Sequence, residues 1–181
     1  TKEEAYYIFL GGTDKNHSPE VLHILVDVGG GCTEIVLSQN NMLLDEKSFN
    51  LGTIRVLSKQ EEIEEWEKLK KWLENIRHNP RNVFLVGSGG NINKINSLYR
   101  KGKIRKTDLK NFHRKLKNMD YEERVIHSNL NLNRAKVILP AINIYFNIMR
   151  ILKIEVLHIP MIGIADGIIR DLYNEKEGFS Q

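Results

Sequence analysis

The chain has 181 residues, 27 Lys and Arg against 23 Asp and Glu, 41% hydrophobic and 28% charged residues, and one cysteine. That length makes one domain able to bury roughly 70% of its unfolded surface, so the fold needs neither metal nor disulfide. A single thiol excludes an internal disulfide framework, and the opening lacks a charged-then-apolar leader, so a reducing, cytoplasmic setting without a membrane is expected. The chain opens on Thr1, in the manner of a domain cut from a longer protein.

Taken in chain order, Val21 to Val28 is β-branched and apolar and predicts a buried strand that ends at three glycines. Thr33 to Ser38 predicts a second strand, and Met42 to Phe49 a third, together an antiparallel meander. Gln60 to His78 predicts a helix, because Ile63, Trp66, Leu69, Leu73 and Ile76 recur at helical spacing. Asn82 to Val86 reads as a short strand, Ile92 to Tyr99 as the start of a helix, and Asp108 to Lys117 and Tyr121 to Ile126 as further helices. Arg134 to Leu152 is a long apolar helix in which Pro140 should kink or break the first turns. Interrupting polar residues make its apolar run, Val137 to Leu152, too short and too polar for a bilayer. Ile154 to Ile159 is the last strand, and Gly163 to Glu175 closes the chain with a helix. The order βββαβαβα implies an α/β domain with a mixed five-stranded sheet and helices on both faces.

Chemistry concentrates in "VDVGGGCTE", Val26 to Glu34. Asp27 lies at the end of a buried strand, where a carboxylate is costly unless paired, hydrogen-bonded or near a metal. Gly29, Gly30 and Gly31 can adopt backbone angles closed to other residues and can aim N–H groups at an anion. Thr33 and Glu34 fall on opposite faces of the return strand. Two carboxylates beside a phosphate suit magnesium, which takes a few carboxylate oxygens plus phosphate and water. A surface hairpin would explain one glycine turn alone. A second, Gly87-Ser88-Gly89-Gly90, ends another strand and opens a helix, which makes a second anion cradle. Two such turns point to a polyphosphate-shaped ligand.

The same stretch, "VDVGGGCTEIVL", resembles the D-[IL]-G-G-G-S-T-E motif of the Ppx/GppA family of exopolyphosphatases and guanosine pentaphosphate phosphohydrolases. "KEEAYYIFLGG", "FNLGTIRVL", "VGSGGNINKINSL", "NLNRAKVILPAI" and "IGIADGIIRDL" resemble further family segments in the same order. The resemblance implies a ribonuclease-H-like domain of the actin-like ATPase superfamily. It implies magnesium-dependent release of a terminal phosphate from polyphosphate or guanosine pentaphosphate. It assigns Glu4 as the base that activates water and Asp27 and Glu34 to the metal. It gives the phosphate to Gly29, Gly30, Gly31, Cys32 and Thr33, with Gly87, Ser88, Gly89 and Gly90 as the second cradle. Arg55 and Arg134 become candidate substrate contacts, although Arg55 also suits a structural ion pair.

Departures from the family pattern bear on substrate preference. Cys32 stands for the usual Ser, Tyr6 for Arg, Ala165-Asp166 for Arg-Glu, Ala141 for Gly and Asn133 for Glu. No segment matches the family's first phosphate loop, so the chain is expected to be the second domain of a two-domain enzyme, active only with its first domain and able to form a homodimer. The competing reading is a non-catalytic domain that binds or senses polyphosphate or a nucleotide. The block from Lys94 to Lys117 carries Lys94, Arg100, Lys101, Lys103, Arg105, Lys106, Lys110, Arg114, Lys115 and Lys117 against Asp108 alone. It favours polyanions and could steer phosphate chains, whereas the lack of interleaved aromatics disfavours nucleic acid. His17, His23, His78, His113, His127 and His158 are scattered, which excludes a zinc spacing.

Overall fold

The structure is a computed structural model and describes residues 20–40, 42–59, 63–77, 82–99, 101–128, 130–160, 167–169 and 172–173. Strand β1, Leu22–Val28, continues through a tight glycine turn into β2, Thr33–Gln39. Asn40, in the left-handed conformation that Asn tolerates best among non-glycine residues, leads on to β3, Met42–Phe49. These three strands form the expected antiparallel meander. Helix α1, Thr53–Leu57, follows at once, and α2, Ile63–Arg77, crosses over to β4, Val83–Ser88, which pairs parallel to β1.

Helix α3, Gly90–Tyr99, leads to β5, Lys103–Arg105, and then to α4, Lys106–Lys117, and α5, Tyr121–His127. An Asp120–Glu123 capping box starts α5. The long helix α6, Leu132–Leu152, returns to β6, Val156–His158, which is parallel to β4 and antiparallel to β5. The sheet order is β3-β2-β1-β4-β6-β5. The mixed α/β class stands, but among the described residues the sheet has six strands and not five. The additional strand, β5, is three residues long and mostly charged. It forms because β6 offers it an open edge.

One face of the sheet carries the principal core. Ile24, Val26 and Val28 of β1 lie with Ile35 and Leu37 of β2, Leu85 of β4, Leu157 of β6 and Ile104 of β5. Helix α6 covers this face and gathers α1, α2, α3, α4 and α5 around itself. Ile138, Ile142, Ile144 and Ile148 of α6 are fully buried, each worth about 1.5–3 kcal/mol of transfer from water. Pro140 neither breaks α6 nor ends it; it sits buried inside one continuous helix. The carbonyl that loses its partner there belongs to Lys136, whose residue is exposed, so water can serve it. By length and composition α6 would pass for a membrane span, but 61% of its apolar window is buried inside the protein, as befits a core helix.

The opposite face of the sheet buries Leu25, Val36 and Val86. Phe84 stacks on His158 there at 4.0 Å between ring centroids. Asp27 and Glu34 also lie on this face, at the ends of the strands.

Candidate functional site

The strand register determines the site. Asp27 of β1 stands directly opposite Glu34 of β2, and Asp27 is level with Ser88 of β4. Residues directly opposite in a sheet share a face, so Asp27, Glu34 and Ser88 form a polar row beyond the buried Leu25, Val36 and Val86. Two carboxylates facing each other across an antiparallel pair repel. A cation between them would remove that cost. The Ser88 hydroxyl donates to Asp27 Oδ2 at 3.0 Å, which fixes one carboxylate oxygen. The C-terminal ends of the parallel strands β1 and β4 lie side by side, the position where open α/β sheets receive ligands.

The first glycine turn is closed by the Gly29 N–H, which donates to the Cys32 carbonyl at 3.0 Å. Its carbonyls are held from behind: the N–H groups of Thr53 and Ile54 donate to Gly29 O and Gly30 O, both at 2.9 Å. Arg55 Nε donates to Gly31 O at 2.8 Å. Thr33, buried on the core side, gives its hydroxyl proton to the Leu51 carbonyl. Gly52 packs so closely that a Cβ there would lie 2.2 Å from Gly30 O. Glu65 of α2 accepts the Asn50 N–H at 2.9 Å, and Lys68 donates to the same carboxylate at 2.9 Å. The Lys68 hydrogen bond, then that of Asn50, holds the Glu65 carboxyl below its ordinary range. The contacts to the carbonyls of Gly29, Gly30 and Gly31 thus all come from the α1 side. Among the described residues, no backbone acceptor takes the N–H of Gly30, Gly31 or Cys32.

None of Gly29, Gly30 and Gly31 is left-handed; among the described residues the glycines with positive φ are Gly89 and Gly102. The expectation that unusual backbone angles explain the triplet is therefore corrected. A Cβ on Gly31 would meet nothing within 4 Å, so the missing side chain leaves open space over the turn. Gly30 is set by closeness to Ile54, whose Cδ1 would be 3.1 Å from its Cβ.

The second turn is constrained differently. Gly89 has φ +102°, and a Cβ there would come within 2.9 Å of Asp27 Oδ1. Gly87 lies beneath α6, where a Cβ would press on Leu157 and Tyr145 at 3.2 Å, so it serves packing. Gly90 opens α3 with its first-turn N–H groups, and Arg134 Nη2 lies 3.4 Å from where a Gly90 Cβ would be. Arg134 is delivered by the start of α6, where the Asn131 side chain accepts the Arg134 N–H at 2.8 Å. An anion at this turn would meet a helix N-terminus and a guanidinium together.

Tyr145 joins the two strand ends. Its fully buried hydroxyl donates to the carbonyls of Ser88 and, at 3.2 Å, Val26. Burial first, and the Asp27 charge second, push this phenol well above its ordinary range, so it stays protonated. Nothing in the sequence marked Tyr145 except its place on a core helix. Gly52 and Thr53 also escaped sequence reasoning, though "LGTIR" had stood out as a motif. The hydroxyls of Thr33 and Ser88, expected at phosphate, are engaged within the protein. Arg55 sits in a short helix and bonds the turn's carbonyl.

Glu4, Tyr6, Ala165 and Asp166 lie outside the described residues. Among the described residues no three His, Cys, Asp or Glu side chains gather into a metal cage. The two facing carboxylates still suit magnesium, which takes its remaining ligands from phosphate and water.

The chain matches the Ppx/GppA phosphatase family over residues 1–176. Its fold is similar to that of the Aquifex aeolicus family member, with TM-score 0.76 and 23% identity, covering 97% of this chain and 63% of that one. It is also similar to an exopolyphosphatase from Cytophaga hutchinsonii, with TM-score 0.75 and 17% identity, covering 98% of this chain and 64% of that one. The chain thus spans somewhat under two thirds of the length of these structures. No curated protein sequence matches it. With the family match running through both glycine turns and the strands that carry them, the chain belongs to the Ppx/GppA phosphatase family.

Proposed function

We propose that this chain is the phosphate-gripping domain of a magnesium-dependent phosphohydrolase that releases terminal phosphate from inorganic polyphosphate or guanosine pentaphosphate. The observation that carries the reading is the Asp27–Glu34 pair, set beside two turns that offer backbone N–H groups. Asp27 and Glu34 would hold magnesium, which supplies charge neutralisation at the phosphoryl oxygens. The N–H groups of Gly30, Gly31 and Cys32 would bind one phosphate, and Gly90 with Arg134 the next. Ser88 and Gly89 would keep Asp27 in place. By family resemblance Glu4 would orient the attacking water. The reading extends to a cytoplasmic two-domain enzyme in which a preceding domain closes over these turns.

The test is phosphate release by the full-length protein with magnesium, offered long-chain polyphosphate and guanosine pentaphosphate side by side. Glu4→Gln and Asp27→Asn serve as controls. Release that falls at least about 100-fold in both variants supports the hydrolase and names its substrate. A folded protein that binds either substrate without releasing phosphate overturns it in favour of a sensing domain.

A further inference from the structure

The basic block of the sequence is not used by the site described above, and the structure concentrates part of it. Lys101, Lys103 and Arg105 line one cavity of about 450 Å³ at the outer edge of the sheet, together with Thr107, Asp108 and Val156. All three cations are exposed, and none has an ion pair or side-chain hydrogen bond with another described residue. The neighbouring Lys106 differs: it is paired with Glu155. The cavity therefore holds three cations against the single carboxylate of Asp108. Arg105 is the N-cap of α4 and makes no side-chain cap; the Lys106 N–H is taken by the Glu155 carbonyl at 2.9 Å, and Thr107 and Asp108 of the first turn line the same cavity, at the positive end of the helix.

The register relates this cavity to the glycine turns. Lys103 is opposite His158, and Arg105 is opposite Val156. His158 is level with Val86, and Val86 with Leu25. Ile104 and Leu157 belong to the core face, so Lys103 and Arg105 share the other face with Leu25 and hence with Asp27. The Ile159 N–H donates to Gly102 O at 2.7 Å, which carries the pairing past the strand toward Lys101. From β1 across β4 and β6 to β5 there are three strand spacings, about 14 Å.

We propose that this edge cavity is a second anion site, which holds distal phosphates of a chain whose terminal group sits at the glycine turns. The inference rests on the phosphohydrolase reading for the identity of the ligand. It predicts discrimination by length. A chain long enough to span both places gains from the cations, and a short one does not.

The experiment uses the full-length protein, with long-chain inorganic polyphosphate and inorganic tripolyphosphate as probes in a direct binding titration. The variant Lys101→Gln/Lys103→Gln/Arg105→Gln should bind the long chain about tenfold more weakly and tripolyphosphate unchanged. A second variant, Lys47→Gln/Lys70→Gln/Lys71→Gln, removes the same charge elsewhere and should bind both probes as before. Unchanged long-chain affinity in the first variant overturns the edge site. So does an equal loss in the second, which would reduce the effect to net charge. Neither outcome touches the glycine turns, whose own failure would show separately, as tripolyphosphate binding indifferent to Gly31→Ala.

Discussion

The two glycine turns look alike in sequence and are built on different physics. In the β1–β2 turn the glycines keep ordinary backbone angles, and Gly31 faces open space. Glycine there leaves open space over the turn, the space through which a phosphate approaches the backbone in the proposed function. In the β4–α3 turn, Gly89 is constrained twice over, because its φ is +102° and a Cβ there would lie 2.9 Å from Asp27 Oδ1. The first turn is left open and the second is shaped by its neighbours. Counting glycines in a motif cannot separate these roles.

Substituting one glycine in each turn tests this contrast most severely. Gly89→Ala should cost about 3 kcal/mol of stability, from left-handed strain plus the clash with Asp27, and should abolish phosphate release. Urea unfolding and a release assay would report it, and wild-type stability would remove the distinction between the turns. Gly31→Ala should leave stability within about 0.5 kcal/mol, as at other surface positions, yet weaken tripolyphosphate binding about tenfold. A variant that binds normally would mean that nothing approaches that backbone.

A smaller effect tests the tie between the turns. Tyr145→Phe removes a buried hydroxyl that serves Ser88 O and Val26 O, and should cost about 1–3 kcal/mol in urea unfolding. An unchanged midpoint would mean that the strand ends are held by packing alone.

The smallest concerns only the first turn, which leans on the segment that Glu65 anchors. The folded pKa of Glu65 is lowered below its ordinary 4.5, chiefly by Lys68 and then by Asn50. A depressed carboxylate gives stability that is present above the unfolded value and lost as pH falls through the folded one. Stability should therefore drop below about pH 4.5 by less than about 1 kcal/mol, since Lys68 is half exposed and solvent screens the pair. In Glu65→Gln that part of the acid slope should disappear from a pH series of unfolding curves.

What the sequence made legible follows from how local each signal is. The β-branched runs of β1 and β2 gave both strands, and alternation alone put Thr33 and Glu34 on opposite faces, where the structure has them. Helix α2 was readable from its apolar spacing. Helix α1 was not, because five residues from Thr53 to Leu57 are too few to display a period. Strand β5 was hidden for a related reason: Lys103-Ile104-Arg105 alternates correctly but is short and charged, and only the edge of β6 makes it a strand. Tyr145 was illegible, since its hydroxyl meets main-chain carbonyls 57 and 119 residues away in sequence. The carboxylate pair was visible as residues, but that they face each other depended on a turn with no slack, which the closed Gly29–Cys32 hydrogen bond provides.

The Tyr145 contact has a mechanical consequence. One buried hydroxyl ties together the two strands from which the turns spring. The spacing between the turns is thereby a fixed gauge. If the proposed function holds, a guest must arrive with its own phosphates at the matching pitch, because these turns will not adjust to measure it.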